Sequence, residues 1–225
     1  MRLQHRSSFS ASAAHELRTP LAVMQTNLEV FARKKTPTIE EYQDIFGMIQ
    51  NQTERLSHLS EVLLDMTGIQ SVERSDSISL AELTDEVCCD LASIADQKKV
   101  ELIQEEGDCT VTGSYLLLYR AVYNLVENAI KYNHSGGKVT VKISQTKALP
   151  AAHSKPADYA LVEVTDTGIG ISPEYQEKIF APFFRVDKSR SRAMGGAGLG
   201  LALVAEIARQ HGGQVKVLAS SKKRQ

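Results

Sequence analysis

The sequence has 225 residues, 42% hydrophobic and 24% charged, and this balance is too apolar for a disordered chain. Its 26 basic and 27 acidic residues give a net charge of -1, which argues against a nucleic-acid-binding surface. No uncharged stretch exceeds thirteen residues, whereas a membrane-spanning helix needs roughly 20 apolar ones, and the chain starts without a hydrophobic signal region. We therefore expect a soluble chain, and its three cysteines, which lack disulfide or zinc spacing, favour the cytoplasm.

Two long helices are predicted at the start of the chain. Within residues 17–31, apolar side chains recur at steps of four and three, the spacing of a coiled-coil seam. Thr38 is a predicted N-cap with Glu41 as its capping-box partner, and a second apolar seam follows. Helices over about 3–35 and 39–69 should therefore form a hairpin. One hairpin cannot cover both seams, so we expect two copies to form a four-helix bundle.

The pattern changes to mixed α and β after Gly68. Helices are predicted at Leu80 to Gln97, Tyr115 to Tyr132 and Leu199 to Gln210. Strands are predicted at Val100 to Gln104, Cys109 to Thr112, Lys138 to Ser144, Tyr159 to Thr165 and Gln214 to Leu218. The expected fold class is multidomain, an all-α antiparallel helical hairpin (1–70) followed, after a polar hinge (71–79), by an α/β sandwich (80–225).

His15, in the sequence His-Glu-Leu-Arg-Thr-Pro, is the first candidate for chemistry. It falls beside the apolar seam, so its imidazole should face solvent, where a neutral ring is a good nucleophile. Glu16 can accept or orient a proton, and Thr19 lies one helical turn further on. Pro20 should kink the helix at this point. The alternative is an ordinary solvated histidine.

Polar residues line one face of the helix predicted at 115–132. Asn124, Asn128 and Lys131 recur at steps of four and three, which places two neutral oxygen ligands and a cation together. Such a set suits a magnesium-bound polyphosphate, because Mg²⁺ takes oxygen ligands and lysine supplies a point charge to phosphate. A polar outer helix face is the alternative.

Glycines mark two further candidates in the long segment between Asp166 and Gly200, which is typical of a functional lid. The motif Asp166-Thr-Gly168-Ile-Gly170 follows a strand, so the carboxylate can accept a hydrogen bond from an exocyclic amine while the glycines permit close approach to a ring. It is not a Rossmann fingerprint, because Pro173 occupies the third glycine position.

The second glycine run, Gly195 to Gly200, opens a helix and so exposes backbone amides to an anion. Leu201 stands where a Walker A lysine belongs, so this is not a P-loop. A flexible hinge is the alternative. Between the two glycine motifs, Phe180, Phe183, Phe184 and Arg185 need a docking surface or form a small local core.

The order and spacing of these motifs resemble those of sensor histidine kinases of two-component signalling. The resemblance extends from about Phe9 to Val217. Five boxes carry it: His15 to Pro20 (H-box), Asn124 to Asn133 (N-box), Asp166 to Gly170 (G1), Phe180 to Arg185 (F-box) and Gly196 to Leu201 (G2).

The resemblance implies a protein-histidine kinase. His15 would be the phospho-acceptor, Glu16 its acid-base partner, and Thr19 the residue that positions water when the kinase acts as a phosphatase. Phosphohistidine would pass its group to an aspartate of a response regulator. The implied hairpin is of the HisKA type, and the α/β domain is the sandwich shared with gyrase, Hsp90 and MutL ATPases.

The resemblance also implies the cofactors ATP and Mg²⁺. Asn128 would hold the metal, assisted by Asn124, while Lys131 meets phosphate, Tyr132 packs near adenine and Asp166 binds its amino group. The other implied nucleotide contacts are Gly168, Gly170, Phe180, Arg185, Gly196, Gly198, Leu199 and Gly200. The ATP lid would span about 167–197.

The implied assembly is a homodimer that also binds a receiver domain, with no nucleic-acid partner. The chain would be the cytoplasmic core of a membrane-anchored parent, joined to the membrane through a sensor region absent here. The tail after Leu218 lacks the last apolar strand typical of the family. Two alternatives stay open: a plain ATPase, which an H-box on a dimerising hairpin argues against, and a pseudokinase-like dimerisation and binding module, which could act only as a phosphatase for a regulator.

Overall fold

The computed structural model describes residues 2–148, 157–186 and 198–218. The chain divides into two compact units. The first unit comprises Met1–Thr67 with Pro182–Leu199, and the second comprises Gly68–Ala181 with Gly200–Gln225. None of the helices in the described ranges is both long and apolar enough to cross a membrane.

The first unit contains the predicted helical hairpin. Helix α1 spans Arg2–Ala32 and helix α2 spans Ile39–Gly68. The capping box predicted before α2 is present, because the Glu41 amide donates to Thr38 Oγ1 at 3.3 Å and the Thr38 amide donates to Glu41 Oε2 at 3.1 Å. The turn between α1 and α2 is therefore fixed by the hydrogen bonds that the sequence predicted.

The hairpin leaves part of its apolar seam uncovered. Three seam residues, Leu21, Leu28 and Tyr42, have exposed fractions of 52%, 45% and 47%. Isolated exposed apolar residues are ordinary, but two of these lie at seam positions of α1 and the third at the first seam position of α2. A single copy of the hairpin does not bury the surface that its heptad spacing creates.

The second unit is an α/β sandwich. Its helices are α3 (Leu80–Lys98), α4 (Tyr115–Lys131) and α5 (Gly200–Gln210). Its strands are β1 (Asp76–Ser79), β2 (Glu101–Gln104), β3 (Thr110–Gly113), β4 (Lys138–Ala148) and β5 (Ala157–Asp166). Strands β1 and β3 pair antiparallel, and a second sheet has the order β2-β4-β5, with β2 parallel and β5 antiparallel to β4.

The core lies between the helices α3 and α4 and the three-stranded sheet. On α3 the residues Leu83, Val87 and Leu91 are fully buried, as their spacing of four requires for one helix face. Strand β4 alternates in the same way: Val139 and Val141 are fully buried while the side chains between them are not. Each such side chain contributes about 1.5–3 kcal/mol when buried. This core fixes the end of α4 beside the start of β4 and the end of β5.

Helix α5 packs against α4, and its C-terminal end is tied to the start of α4. Nε2 of His211 accepts a hydrogen bond from the Ser114 amide at 3.1 Å, and Nδ1 lies 2.8 Å from the Ile207 carbonyl oxygen. The two contacts use both ring nitrogens, which requires the proton on Nδ1. Helix α5 is thereby held along α4, with its glycine-rich N-terminus beside the middle of that helix.

The structure corrects the strand prediction at two places. Residues 214–218, predicted as a strand, have no regular secondary structure, because no ladder partner for them lies among the described residues. Conversely, Asp76–Ser79 lies in the predicted hinge 71–79 but forms β1, paired with β3. Alternation of apolar residues predicts which face is buried, whereas strand formation also requires a free sheet edge.

Candidate functional site

His15 lies on α1 with its side chain exposed, as predicted. The next turn of the helix is unusual. Pro20 is buried and has no amide hydrogen, so it cannot donate to the carbonyl of Glu16. The Thr19 hydroxyl donates to the His15 carbonyl oxygen at 3.1 Å. The helix stays continuous through the proline, and His15 and Thr19 lie one turn apart on the same face of α1.

The carboxylate of Glu16 is held by two arginines of the same unit. Nη2 of Arg185 lies 2.5 Å from Glu16 Oε2, and Nη2 of Arg55, on α2, lies 3.7 Å from the same oxygen. The side chains of Glu16 and Arg185 are 16% and 5% exposed, so the ion pair is shielded from water. A sequence-predicted nucleotide contact, Arg185, thus lies against the neighbour of the proposed phospho-acceptor.

The predicted N-box residues lie on α4, facing the start of α5. Asn124 Nδ2 donates to the Arg120 carbonyl oxygen at 2.8 Å, which orients Oδ1 away from its own helix. A Cβ atom added to Gly200 would stand 2.4 Å from Asn124 Oδ1 and 3.8 Å from Asn128 Nδ2. Glycine at position 200 therefore lets the amide-rich N-terminus of α5 approach both asparagines.

The C-terminal end of α4 carries Lys131, whose carbonyl oxygen accepts a hydrogen bond from the Lys98 ammonium group. The contact brings a second cation to the helix terminus, where carbonyl dipoles favour positive charge. Among the described residues, no group of three or more histidine, cysteine or carboxylate side chains could hold a metal ion.

Asp166 and Gly168 form a tight turn after β5, against the end of α4. Asp166 Oδ1 accepts a hydrogen bond from the Gly168 amide at 2.8 Å, and the Ile169 amide donates to the Tyr132 carbonyl oxygen at 3.2 Å. A Cβ atom on Gly168 would stand 2.5 Å from that same carbonyl oxygen. Tyr132, Asp166 and Gly168 are thus brought together as predicted, and Gly170 follows with φ +67°.

Asn133 and Thr167 connect these two turns, and sequence analysis assigned them no role. The Asn133 side chain is buried; its Nδ2 donates to the Lys138 carbonyl oxygen at 3.0 Å. Thr167 Oγ1 donates to Asn133 Oδ1 at 3.2 Å and accepts from the Lys138 amide at 2.9 Å. Both residues lie inside motifs that the sequence analysis identified, Asn133 in the N-box and Thr167 in G1. Each was a polar residue with no assigned ligand, and this could have indicated a structural role.

The predicted lid residues divide between the two units. Phe180 lies in a 3-10 helix, Lys178–Phe180, that packs against α5 in the second unit. In the first unit the Phe183 amide donates to the Gly198 carbonyl oxygen at 2.8 Å. The next residue, Leu199, is buried. Gly196, a predicted nucleotide contact, lies outside the described residues.

Two family models match the chain. The His Kinase A (phospho-acceptor) domain matches residues 5–71, and the histidine kinase-, DNA gyrase B- and HSP90-like ATPase matches residues 113–225. The chain is 33% identical over 219 residues to the sensor histidine kinase RppB of Synechocystis, covering 95% of this chain and 46% of RppB. It is 32% identical over 218 residues to the sensor-like histidine kinase SenX3 of Mycolicibacterium smegmatis, covering 94% and 53%.

Solved structures agree in fold. Histidine kinase AdeS of Acinetobacter baumannii aligns with a TM-score of 0.63 at 24% identity, over 87% of this chain and 86% of AdeS. Histidine kinase ThkA, solved in complex with response regulator protein TrrA, aligns with a TM-score of 0.68 at 22% identity, over 94% of this chain and 57% of that one.

The chain spans about half the length of the curated relatives that it matches. The phospho-acceptor model covers the H-box, and the ATPase model covers the N-box and the glycine motifs that follow it. The chain therefore belongs to the sensor histidine kinases, and it contains the phospho-acceptor domain and the ATPase domain of that family.

Proposed function

We propose that the chain uses ATP to phosphorylate its own His15 and then passes the phosphoryl group to an aspartate of a response regulator. The observation that carries this proposal is the exposed imidazole of His15 next to the partly buried carboxylate of Glu16, in a domain that matches the phospho-acceptor family. An exposed nucleophile with an adjacent proton acceptor is the arrangement that phosphoryl transfer to histidine needs.

In the proposed reaction, the lone pair on Nε2 of neutral His15 attacks the γ-phosphorus in line with the leaving oxygen. The new phosphorus–nitrogen bond forms as the bond to the β,γ-bridging oxygen breaks, and ADP leaves. The proton on Nδ1 of His15 passes to Glu16. Because phosphoryl transfer is catalysed largely by positioning and charge neutralisation, the chain's main task is to bring His15 and the nucleotide into line.

The described geometry of α4 and α5 fits a nucleotide with its magnesium ion. The Asn124 side chain has Oδ1 turned away from its helix, and the Asn128 side chain has no hydrogen-bond partner among the described residues. We assign Mg²⁺ to Asn128 and Asn124, and the ion would neutralise charge on the phosphates. Lys131 and the N-terminus of α5 at Gly200 would hold the phosphates, together with the preceding residues Gly196, Gly198 and Leu199.

The turn after β5 fits the adenine ring. Asp166 uses Oδ1 to accept from the Gly168 amide, which leaves Oδ2 to accept from the exocyclic amine of adenine. Tyr132 and Gly170 would flank the ring, with Phe180 on the lid side. Because Gly168 carries no side chain, the ring could approach the backbone closely at this turn.

The proposed domain roles follow the predicted boundaries. Residues 1–70 would be the dimerisation and phospho-acceptor domain, 71–79 the hinge, and 80–225 the catalytic domain with an ATP lid over about 167–197. Within that hinge, the strand β1 restricts bending to the residues before Asp76. Movement about this segment would bring the nucleotide to His15.

A homodimer is proposed because the hairpin exposes seam residues on both helices, including Leu21, Leu28 and Tyr42. Two hairpins packed along these seams form a four-helix bundle, which buries them. The regulator would dock on the same bundle, since ThkA, which shares this fold, was solved in complex with a response regulator protein. The full-length parent would be anchored in the cell membrane, with this region in the cytoplasm.

A second activity, removal of the phosphoryl group from the regulator, is proposed for Thr19. Its hydroxyl donates to the His15 carbonyl oxygen one turn back, and its oxygen keeps lone pairs that can accept a hydrogen bond from water. The test is dephosphorylation of a phosphorylated receiver domain by the chain. Thr19→Ala should slow dephosphorylation more than it slows labelling of His15, and equal losses would contradict this role.

Labelled ATP tests the proposed kinase reaction. With Mg²⁺, the purified chain should become labelled from ATP carrying ³²P in the γ position and not from ATP carrying it in the α position. Asn128→Ala should abolish labelling, because it removes the proposed ligand of the magnesium ion. ATP consumption without label on the protein would instead indicate a plain ATPase.

A further inference from the structure

The carboxylate of Glu16 contacts two arginine side chains. Arg185 lies at 2.5 Å and Arg55 at 3.7 Å, and both approach the same oxygen, Oε2. Among the residues that the structure describes, Glu16 Oε1 has no hydrogen-bond partner. One carboxylate oxygen is therefore held by the arginines, while the other is left to accept a proton.

The burial of Arg185 is not accounted for by this ion pair alone. Its side chain is 5% exposed, and its Nε–H has no hydrogen-bond partner in the described structure. An unpaired buried donor costs about 1–3 kcal/mol, and a buried salt bridge is weak support for stability because the desolvation of both charges opposes their attraction. An unsatisfied buried donor of this kind favours a role in the site over a role in holding the fold together.

We propose that Arg185, assisted by Arg55, is a positioning residue for Glu16 in the phosphorylation of His15. By holding Oε2, the two guanidinium groups restrict the rotamers of the glutamate and present Oε1 for the ring proton. Two cations against one carboxylate also leave a positive charge beside the phospho-acceptor, where an anionic phosphoryl group arrives. This inference rests on the proposed function, and it assigns Arg185 to the H-box instead of the nucleotide.

The test separates catalysis from nucleotide binding. For the purified full chain, we would measure the rate of γ-phosphoryl labelling at saturating ATP and, separately, the Kd of a fluorescent ATP analogue. Arg185→Gln should slow labelling by about tenfold or more and leave the Kd unchanged. Arg185→Lys, which keeps the charge, should recover part of the rate. Arg209→Gln is the matched control, since it breaks an exposed pair with Glu206 on α5.

A double variant shows whether Arg185 acts through Glu16. Glu16→Gln alone should slow labelling by about 100-fold. Adding Arg185→Gln should then have almost no further effect, because the group that the arginine positions is already gone. Two results would overturn the proposal and return Arg185 to the nucleotide site. One is a labelling rate in the double variant that is reduced by the product of the two single effects, and the other is a larger Kd for the ATP analogue in Arg185→Gln.

Two further results are decisive. If the wild-type chain is labelled on His15 and Arg185→Gln is labelled equally fast, the positioning role is wrong while the proposed function stands. If the wild-type chain itself is never labelled, the proposed function fails first. Should Arg185→Gln not fold, as judged by circular dichroism, Arg185→Lys and Arg55→Gln carry the test, and both should slow labelling without changing the Kd.

Discussion

Gly168 offers a sharp test of the adenine site, because the structure leaves no room for a side chain there. In Gly168→Ala, the added Cβ would stand 2.5 Å from the Tyr132 carbonyl oxygen, 2.8 Å from Asp166 Oδ1 and 3.0 Å from the Asn133 Cα. Two of these three atoms are backbone, so rotation of a side chain cannot relieve the overlap. The turn after β5 must move away from the end of α4.

The size of the effect follows from these distances. The Tyr132 carbonyl oxygen must retreat by about 0.9 Å to reach the 3.4 Å at which such contacts become ordinary. Overpacking of this kind costs about 1–3 kcal/mol of unfolding free energy. If the displaced Asp166 loses a hydrogen bond to adenine, binding weakens by about 1.5–3 kcal/mol, which is about 10- to 140-fold in Kd.

The assay is titration with ATP and Mg²⁺ by isothermal calorimetry, with circular dichroism melting to confirm that each variant is folded. Gly213→Ala is the matched control, because its Cβ would lie 3.5 Å from the Ala208 carbonyl oxygen, an ordinary contact. We expect Gly168→Ala to bind ATP at least about tenfold more weakly and Gly213→Ala to bind like the wild type. A folded Gly168→Ala with wild-type affinity would refute the placement of adenine at this turn.

Three more predictions follow from local contacts. Thr38→Ala should lower the unfolding free energy of the hairpin by about 1 kcal/mol, because the cap of α2 is lost; a thermal melt equal to that of wild type would contradict the capping box. Burial raises the pKa of the Cys88 thiol to about 11, so iodoacetamide at pH 8 should modify exposed Cys89 first, and equal modification by mass spectrometry would argue against that burial. The hydrogen bond to Glu86 raises the pKa of Tyr115 to about 12 from 10.0, so its contribution to stability is complete below pH 10 and is lost as the pH rises toward 12; urea melts should show this loss in wild type and less of it in Tyr115→Phe.

The sequence predicted those elements whose pattern repeats locally. The spacing of Leu83, Val87 and Leu91 identifies the buried face of α3, and the alternation of Val139 and Val141 identifies that of β4. The N-box and G1 motifs were likewise readable, because their residues lie within one helix or one turn. Asn124 and Asn128 indeed lie together, and so do Asp166 and Gly168.

Contacts between distant parts of the chain were not readable in this way. Strand β1 consists of Asp76-Ser-Ile-Ser, a polar sequence that resembles a hinge and becomes a strand through pairing with β3. The ion pair between Glu16 and Arg185 joins residues 169 positions apart, and no local pattern marks it. The sequence shows which charged side chains the protein contains. Which of them form an ion pair depends on the parts of the chain that the fold brings together.

The measurement that tests the central claim most directly is the chemical stability of the labelled protein. The chain and His15→Gln would be incubated with γ-labelled ATP and Mg²⁺, and the label would then be challenged with acid and with alkali. A phosphorus–nitrogen bond to histidine predicts label that is lost in acid, kept in alkali and absent from His15→Gln. Label that survives acid, or that His15→Gln carries equally, would contradict His15 as the phospho-acceptor.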